Sequence, residues 1–101
     1  MPTKPVRYLV EAGAEYDAAF DWYLQRSPDA ALDFDAEVNR ALTDIASAPQ
    51  RWAAGAHSTR RYLLRRFPYI LIYREREEDI QIVAVAHTSR KPGYWKKRVR
   101  K

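Results

Sequence analysis

Apolar and polar residues alternate in two different rhythms along the chain, and the change of rhythm divides it. Val6 to Val10 (VRYLV) is short and rich in β-formers, and predicts a strand. Ala12, Tyr16, Ala19, Phe20 and Tyr23 then recur at three- and four-residue steps, while Glu15, Asp17 and Asp21 fall elsewhere, the mark of an amphipathic helix. That helix stops near Arg26. Ser27-Pro28-Asp29 opens a second one, with Ser27 to cap free N–H groups, Pro28 suited to the first helical position and Asp29 suited to the helix dipole. Ala31, Phe34, Val38, Ala41, Leu42 and Ile45 form its stripe, and Asp33, Asp35, Glu37, Arg40 and Asp44 avoid it, up to Pro49.

Residues 49–59 (PQRWAAGAHST) lack periodicity and predict a loop. Beyond it the period becomes two. Arg60 to Leu64 predicts a strand, followed by a tight connection around Arg65 to Pro68. Tyr69 to Arg74 predicts a second strand, apolar on both faces and so central. A polar hairpin loop (Glu75 to Asp79) and a third strand (Ile80 to His87) follow. The order β-α-α-β-β-β predicts an α+β fold, an antiparallel sheet with a helical hairpin packed on one face. At 101 residues the chain predicts a single domain over 1–101, with a basic tail from about residue 90.

Charge sharpens this division. Residues 1–48 carry four basic groups against nine acidic ones; residues 49–101 carry fourteen against four, so the net +5 conceals two halves of opposite sign. Such asymmetry points to a polyanion or an acidic binding protein as partner, or to a surface kept soluble by charge. No apolar run approaches the ~20 residues of a membrane span, and residues 1–10 have no secretory h-region, so a soluble, cytoplasmic protein with no membrane partner is expected.

Several chemistries are excluded by count. With no cysteine there is no disulfide framework, thiolate metal site or cysteine nucleophile. His57 and His87 offer no metal-ligand spacing, and three glycines make no phosphate loop, so neither a metal nor another cofactor is expected. What stands out is His87 to Arg98 (HTSRKPGYWKKR), where a strand leaves the sheet and an imidazole, a phenol, an indole and five cations come together. His87 suits general acid–base work, Arg90 and the lysines suit phosphate charge, and Tyr94 and Trp95 suit base stacking. The alternative is structural: Tyr94 and Trp95 anchor the tail on the core and the cations are a solvated fringe. Arg60-Arg61 and Arg65-Arg66 flank a short strand. They either join the tail cations on one basic surface or keep an edge soluble. Trp22, off its helix stripe, fills a sheet contact or marks an exposed docking patch.

The ordered set of residues resembles the RelE/ParE toxin superfamily from about Val6 to Arg98. It comprises the first helix ending Trp22-Tyr23, Arg61 followed by Phe67-Pro68-Tyr69-Ile70-Leu71-Ile72-Tyr73, and Val83-Ala84-Val85-Ala86-His87-Thr88-Ser89-Arg90 followed by Pro92-Gly93-Tyr94-Trp95. The resemblance implies the toxin of a type II toxin–antitoxin (plasmid stabilisation) module. Its partners would be a cognate antitoxin, a cellular target, and operator DNA only through the antitoxin complex. One branch cleaves mRNA on the ribosome without metal; the other poisons DNA gyrase and is no nuclease. For a ribonuclease, His87, Arg90 and Tyr94 would serve as base, phosphate clamp and acid or stacking partner. The ribonuclease pattern is broken, however, by Ile70 where that branch places an arginine after Tyr69, and by Thr88 where spacing back from Tyr94 puts another. The expectation is therefore a ParE-like gyrase inhibitor that meets its target through Arg61, Arg65, Arg66, Lys91, Trp95, Lys96, Lys97 and Arg98. A metal-independent endoribonuclease and an inactive relative that only binds its partner are the alternatives.

Overall fold

Strand β1 is shorter than its pattern predicts, Val6–Tyr8, because the backbone turns at once into helix α1 (Val10–Arg26). Leu9 does both jobs: its N–H donates to the Ile82 carbonyl (2.9 Å), and its own carbonyl accepts from Gly13 (2.9 Å). The computed structural model describes residues 3–99; the tail cations Arg100 and Lys101 lie outside the described residues. Ser27 separates the helices, closing α1 through its N–H to Tyr23 (2.8 Å) and capping α2 (Pro28–Ser47) by accepting from the Ala30 N–H (3.3 Å). Such a cap is worth about 1 kcal/mol.

The α2 stripe is buried as its spacing requires, at Ala31, Phe34, Val38, Ala41 and Ile45, with Leu42 half-buried beside it. Phe34 is the hub. Its ring lies 5.3–5.7 Å from those of Tyr16, Tyr23, Phe67 and Tyr69, so both helices and the start of the central strand meet on one side chain. Glu37 departs from the pattern: it flanks the stripe and is buried. Its carboxylate accepts the backbone N–H groups of Arg65 and Arg66 and the Arg66 Nε (3.3 Å), which fixes the turn after the next strand.

The loop after α2 contains a two-residue strand, β2 (Ala53–Ala54), and a tight turn at Ala56–Ser58. Two alanines carry no strand signal of their own; their pairing with Arg60 and Arg61 creates it. Strands β3 (Arg60–Leu63), β4 (Tyr69–Glu75) and β5 (Ile80–His87) form the expected antiparallel meander. The sheet order is β1-β5-β4-β3-β2, with β4 in the middle. The sheet is mixed rather than purely antiparallel, because β1 runs parallel to β5 (Val6 opposite Ile80). No hairpin joins β1 to its neighbour; the chain leaves it through two helices, and its direction is set by that crossover.

A bulge breaks β5. Ile72 pairs with Ala84 and Tyr73 with Ile82, which leaves Val83 as an extra residue. Both faces of the sheet carry apolar packing. Leu71, Tyr73, Ile80, Ile82 and Val85 pack under the helices, while Ile72, Val83 and Ala84 meet Trp95 and Val99 of the tail.

Candidate functional site

On the tail side of the sheet, a groove of about 490 Å³ runs between the segment after β5 and the loop that precedes β3. Its floor is apolar (Ile70, Ile72, Ala86), and Arg61 rises from β3 directly opposite Ile72. Arg90, Lys91 and Lys96 come from the tail segment, and Gly55 to Thr59 forms the far rim. Thr59 holds that rim, its carbonyl accepting from the Gly55 N–H (2.8 Å) and its N–H donating to the Ala56 carbonyl (3.1 Å). These bonds keep His57 and Ser58 in the left-handed region, at φ 58° and 61°.

Among the described residues no carboxylate lines the groove, and none of Arg61, Arg90, Lys91 and Lys96 has one within 4 Å. Cations over an apolar floor concentrate a positive potential at the mouth of a cleft, a surface suited to an anionic partner. Arg60 also lines it, but its guanidinium is tied to the Trp52 carbonyl (2.7 Å).

The sequence candidates separate into three places. Arg61, Arg90, Lys91 and Lys96 line the groove together with His87, and Lys97 is exposed beside it. Arg65 and Arg66 stand elsewhere, in a cleft with Glu37, Arg40, Asp44 and Tyr62, and Arg66 pairs with Glu37 (3.3 Å) and Asp33 (3.8 Å). Tyr94 and Trp95, which wall the groove, and Arg98 behind them are structural in their contacts. Trp95 is 8% exposed, which leaves no ring face for stacking. Arg98 grips Glu15 with both terminal nitrogens (2.9 Å each).

The three residues of a ribonuclease reading are engaged in ways that bear on that chemistry. The Tyr94 hydroxyl donates to Glu15 (2.6 Å), and burial together with this bond pushes the phenol well above its ordinary value. His87 stands edge-on to Tyr69 (5.1 Å), and its Nδ1 accepts from the Ser89 N–H (3.0 Å). With Nδ1 taken up by Ser89, Nε2 is the ring nitrogen left for other partners. The Arg90 guanidinium lies 3.8 Å over the Tyr94 ring.

A second cleft, of about 450 Å³, opens on the helix side. Ala18, Ala19, Trp22 and Tyr23 of α1 face Pro68, Tyr69 and Val85 across it, with Glu15 and Arg90 at its rim. Trp22 is half-exposed there, with the Arg26 guanidinium stacked 3.6 Å over its ring, so it fills no sheet contact. Sequence reasoning missed Glu15 altogether, since its partners lie 70 to 83 residues away and nothing local distinguishes it from the other acids of α1. Among the described residues no group of three His, Cys, Asp or Glu could hold a metal ion, and no helix is long and apolar enough to cross a membrane.

No curated protein matches the chain by sequence. Among solved structures, a chain of the chromosomal ParDE toxin–antitoxin system from P. aeruginosa shares the fold, with a TM-score of 0.72 at 20% identity, over 84% of this chain and 96% of that one. The family model for the ParE toxin of type II toxin–antitoxin systems matches residues 6–92, from the first residue of β1 to the groove wall. The chain belongs to the ParE toxin family.

Proposed function

We propose that this protein is the toxin of a type II toxin–antitoxin module, a growth inhibitor that acts on DNA gyrase by binding and is neutralised by a cognate antitoxin. The observation that carries the choice of gyrase over mRNA is the Tyr94 hydroxyl, held by Glu15 at 2.6 Å and raised in pKa, where metal-free RNA cleavage needs a group free to give its proton. Ile70 on the groove floor agrees, since an aliphatic side chain offers nothing to a phosphorane-like transition state. The carboxylate-free groove is the target-facing surface in this reading. The apolar cleft beside Trp22 suits an amphipathic antitoxin segment, and operator DNA is met only through the toxin–antitoxin complex.

Controlled expression with and without the antitoxin, followed by purification of gyrase–DNA complexes, tests this. Growth arrest with accumulated cleaved DNA on gyrase is expected. Cut transcripts with unaffected gyrase would establish the ribonuclease, and unimpaired growth with antitoxin binding retained would mark an inactive binding module.

A further inference from the structure

Strand β1 shields only part of its neighbour. It pairs with Ile80, Gln81 and Ile82 of β5, and the ladder ends at the Leu9 N–H on Ile82. Beyond that point side chains take the place of a strand. Arg98 Nη1 donates to the Val83 carbonyl (3.0 Å), and Glu15 Oε1 accepts from the Val85 N–H (3.0 Å). These two side chains are also each other's partners, bound through two bonds of 2.9 Å, and Tyr94 adds its hydroxyl to Glu15 Oε2. One carboxylate thus receives four donors from three residues. Glu15 and Arg98 are only 17% and 16% exposed, so each depends on the other to remain charged where it is.

This node lies behind the groove. Tyr94 belongs to the groove wall and Arg98 follows the lysines of the turn Lys96–Arg98, while Trp95 and Val99 seat the same segment on Ile72, Val83 and Ala84. Tyr94 and Arg98 both fall beyond the span 6–92 that the family model matches. Apolar contact alone leaves such a segment free to slide, whereas a bidentate guanidinium–carboxylate pair fixes its position and angle.

We propose that Glu15 is a positioning residue for the groove: it replaces the missing edge strand at Val85 and, through Arg98 and Tyr94, holds the tail segment in place as the wall that presents Lys91 and Lys96. Its consequence for the target rests on the reading of the groove as the target-facing surface. Glu15 itself touches no target.

The test compares the full chain with Glu15→Ala, Glu15→Gln and the reversed pair Glu15→Arg with Arg98→Glu. Three readouts are followed: amide exchange at Val85, trypsin cleavage after Lys96 or Lys97, and inhibition of supercoiling by purified gyrase. In Glu15→Ala, Val85 exchanges roughly 10- to 100-fold faster, the scale of one lost bond to a charged acceptor, while the Leu71 amide of the core keeps its protection. Tail cleavage and the half-inhibitory concentration rise with it. Glu15→Gln falls between, because its amide oxygen still accepts from Val85. The reversed pair does not recover, since it turns a donor toward the Val85 N–H and an acceptor toward the Val83 carbonyl. Recovery by the reversed pair would mean a plain ion pair and overturn the strand-replacing role. Wild-type exchange and cleavage in Glu15→Ala would overturn the proposal entirely, and a loosened tail with unchanged inhibition would overturn its consequence for the target. Wild-type protein without effect on gyrase would instead remove the gyrase reading, and exchange and cleavage would still decide the role of Glu15.

Discussion

Replacing Arg61 by glutamate puts a carboxylate into a groove that has none among the described residues. Arg61 is exposed on β3, opposite Ile72, and has no acidic partner among the described residues, so its loss changes stability by no more than about 0.5 kcal/mol. The effect on a bound anion is larger. One pair of unit charges 4 Å apart in water is worth about 1 kcal/mol, and reversing a sign exchanges attraction for repulsion, a change of about 2 kcal/mol, or roughly 30-fold in affinity. The assay is inhibition of gyrase supercoiling by purified toxin, with a thermal melt to confirm the fold. The difference from wild type should shrink as salt is raised, because the charges are exposed. Arg66→Ala is the counterpart. It removes the contacts to Glu37 and Asp33, in a cleft that shares no residue with the groove, and should leave inhibition unchanged. Arg61→Glu protein as potent as wild type, or Arg66→Ala protein equally impaired, would refute the assignment of the target to this groove.

Two further outcomes follow from the core and from the carboxylates. Phe34→Ala empties the point where four aromatic rings converge and should cost about 3–5 kcal/mol in urea unfolding; a loss below about 1.5 kcal/mol would mean that the rings close over the gap. Burial alone would raise the Glu15 carboxyl, but the bonds from Arg98, Tyr94 and Val85 outweigh it and hold it below its ordinary value of 4.5. The bond from Lys4 does the same for Glu75, and the bond from Arg76 does so for Asp79. Groups lowered in the folded state bind more protons when unfolded. Stability should therefore be full above the ordinary values of 4.5 and 3.8 and fall as pH drops through the lowered ones, with a shallower fall in Glu15→Gln. A urea midpoint that rises on acidification would contradict this.

The helices and the meander were readable because their periods are local. The Phe34 stripe repeats within one helix, and the central place of β4 shows in an apolar run such as Tyr69-Ile70-Leu71-Ile72-Tyr73. The direction of β1 was not readable, since it depends on how a two-helix crossover returns the chain. The groove was half legible. Arg61, Arg90, Lys91 and Lys96 belonged to the basic clusters, but only three-dimensional packing separates them from Arg65 and Arg66, whose backbone is held by a buried Glu37. Arg98 looked like its lysine neighbours in the sequence. What distinguishes it is a carboxylate 83 residues earlier.

The extra residue in β5 acts as a switch of parity. Side chains alternate across a sheet, so every position after Val83 stands on the side opposite to the one a regular strand would assign it. That is why Val85 joins the helical core and His87 meets Tyr69. Removing Val83 alone would leave that assignment intact, whereas pairing all eight residues of β5 regularly would turn Val85 and His87 away from the helices and Ala84 and Ala86 toward them. In a scaffold this small, one added residue decides which layer the end of a strand serves.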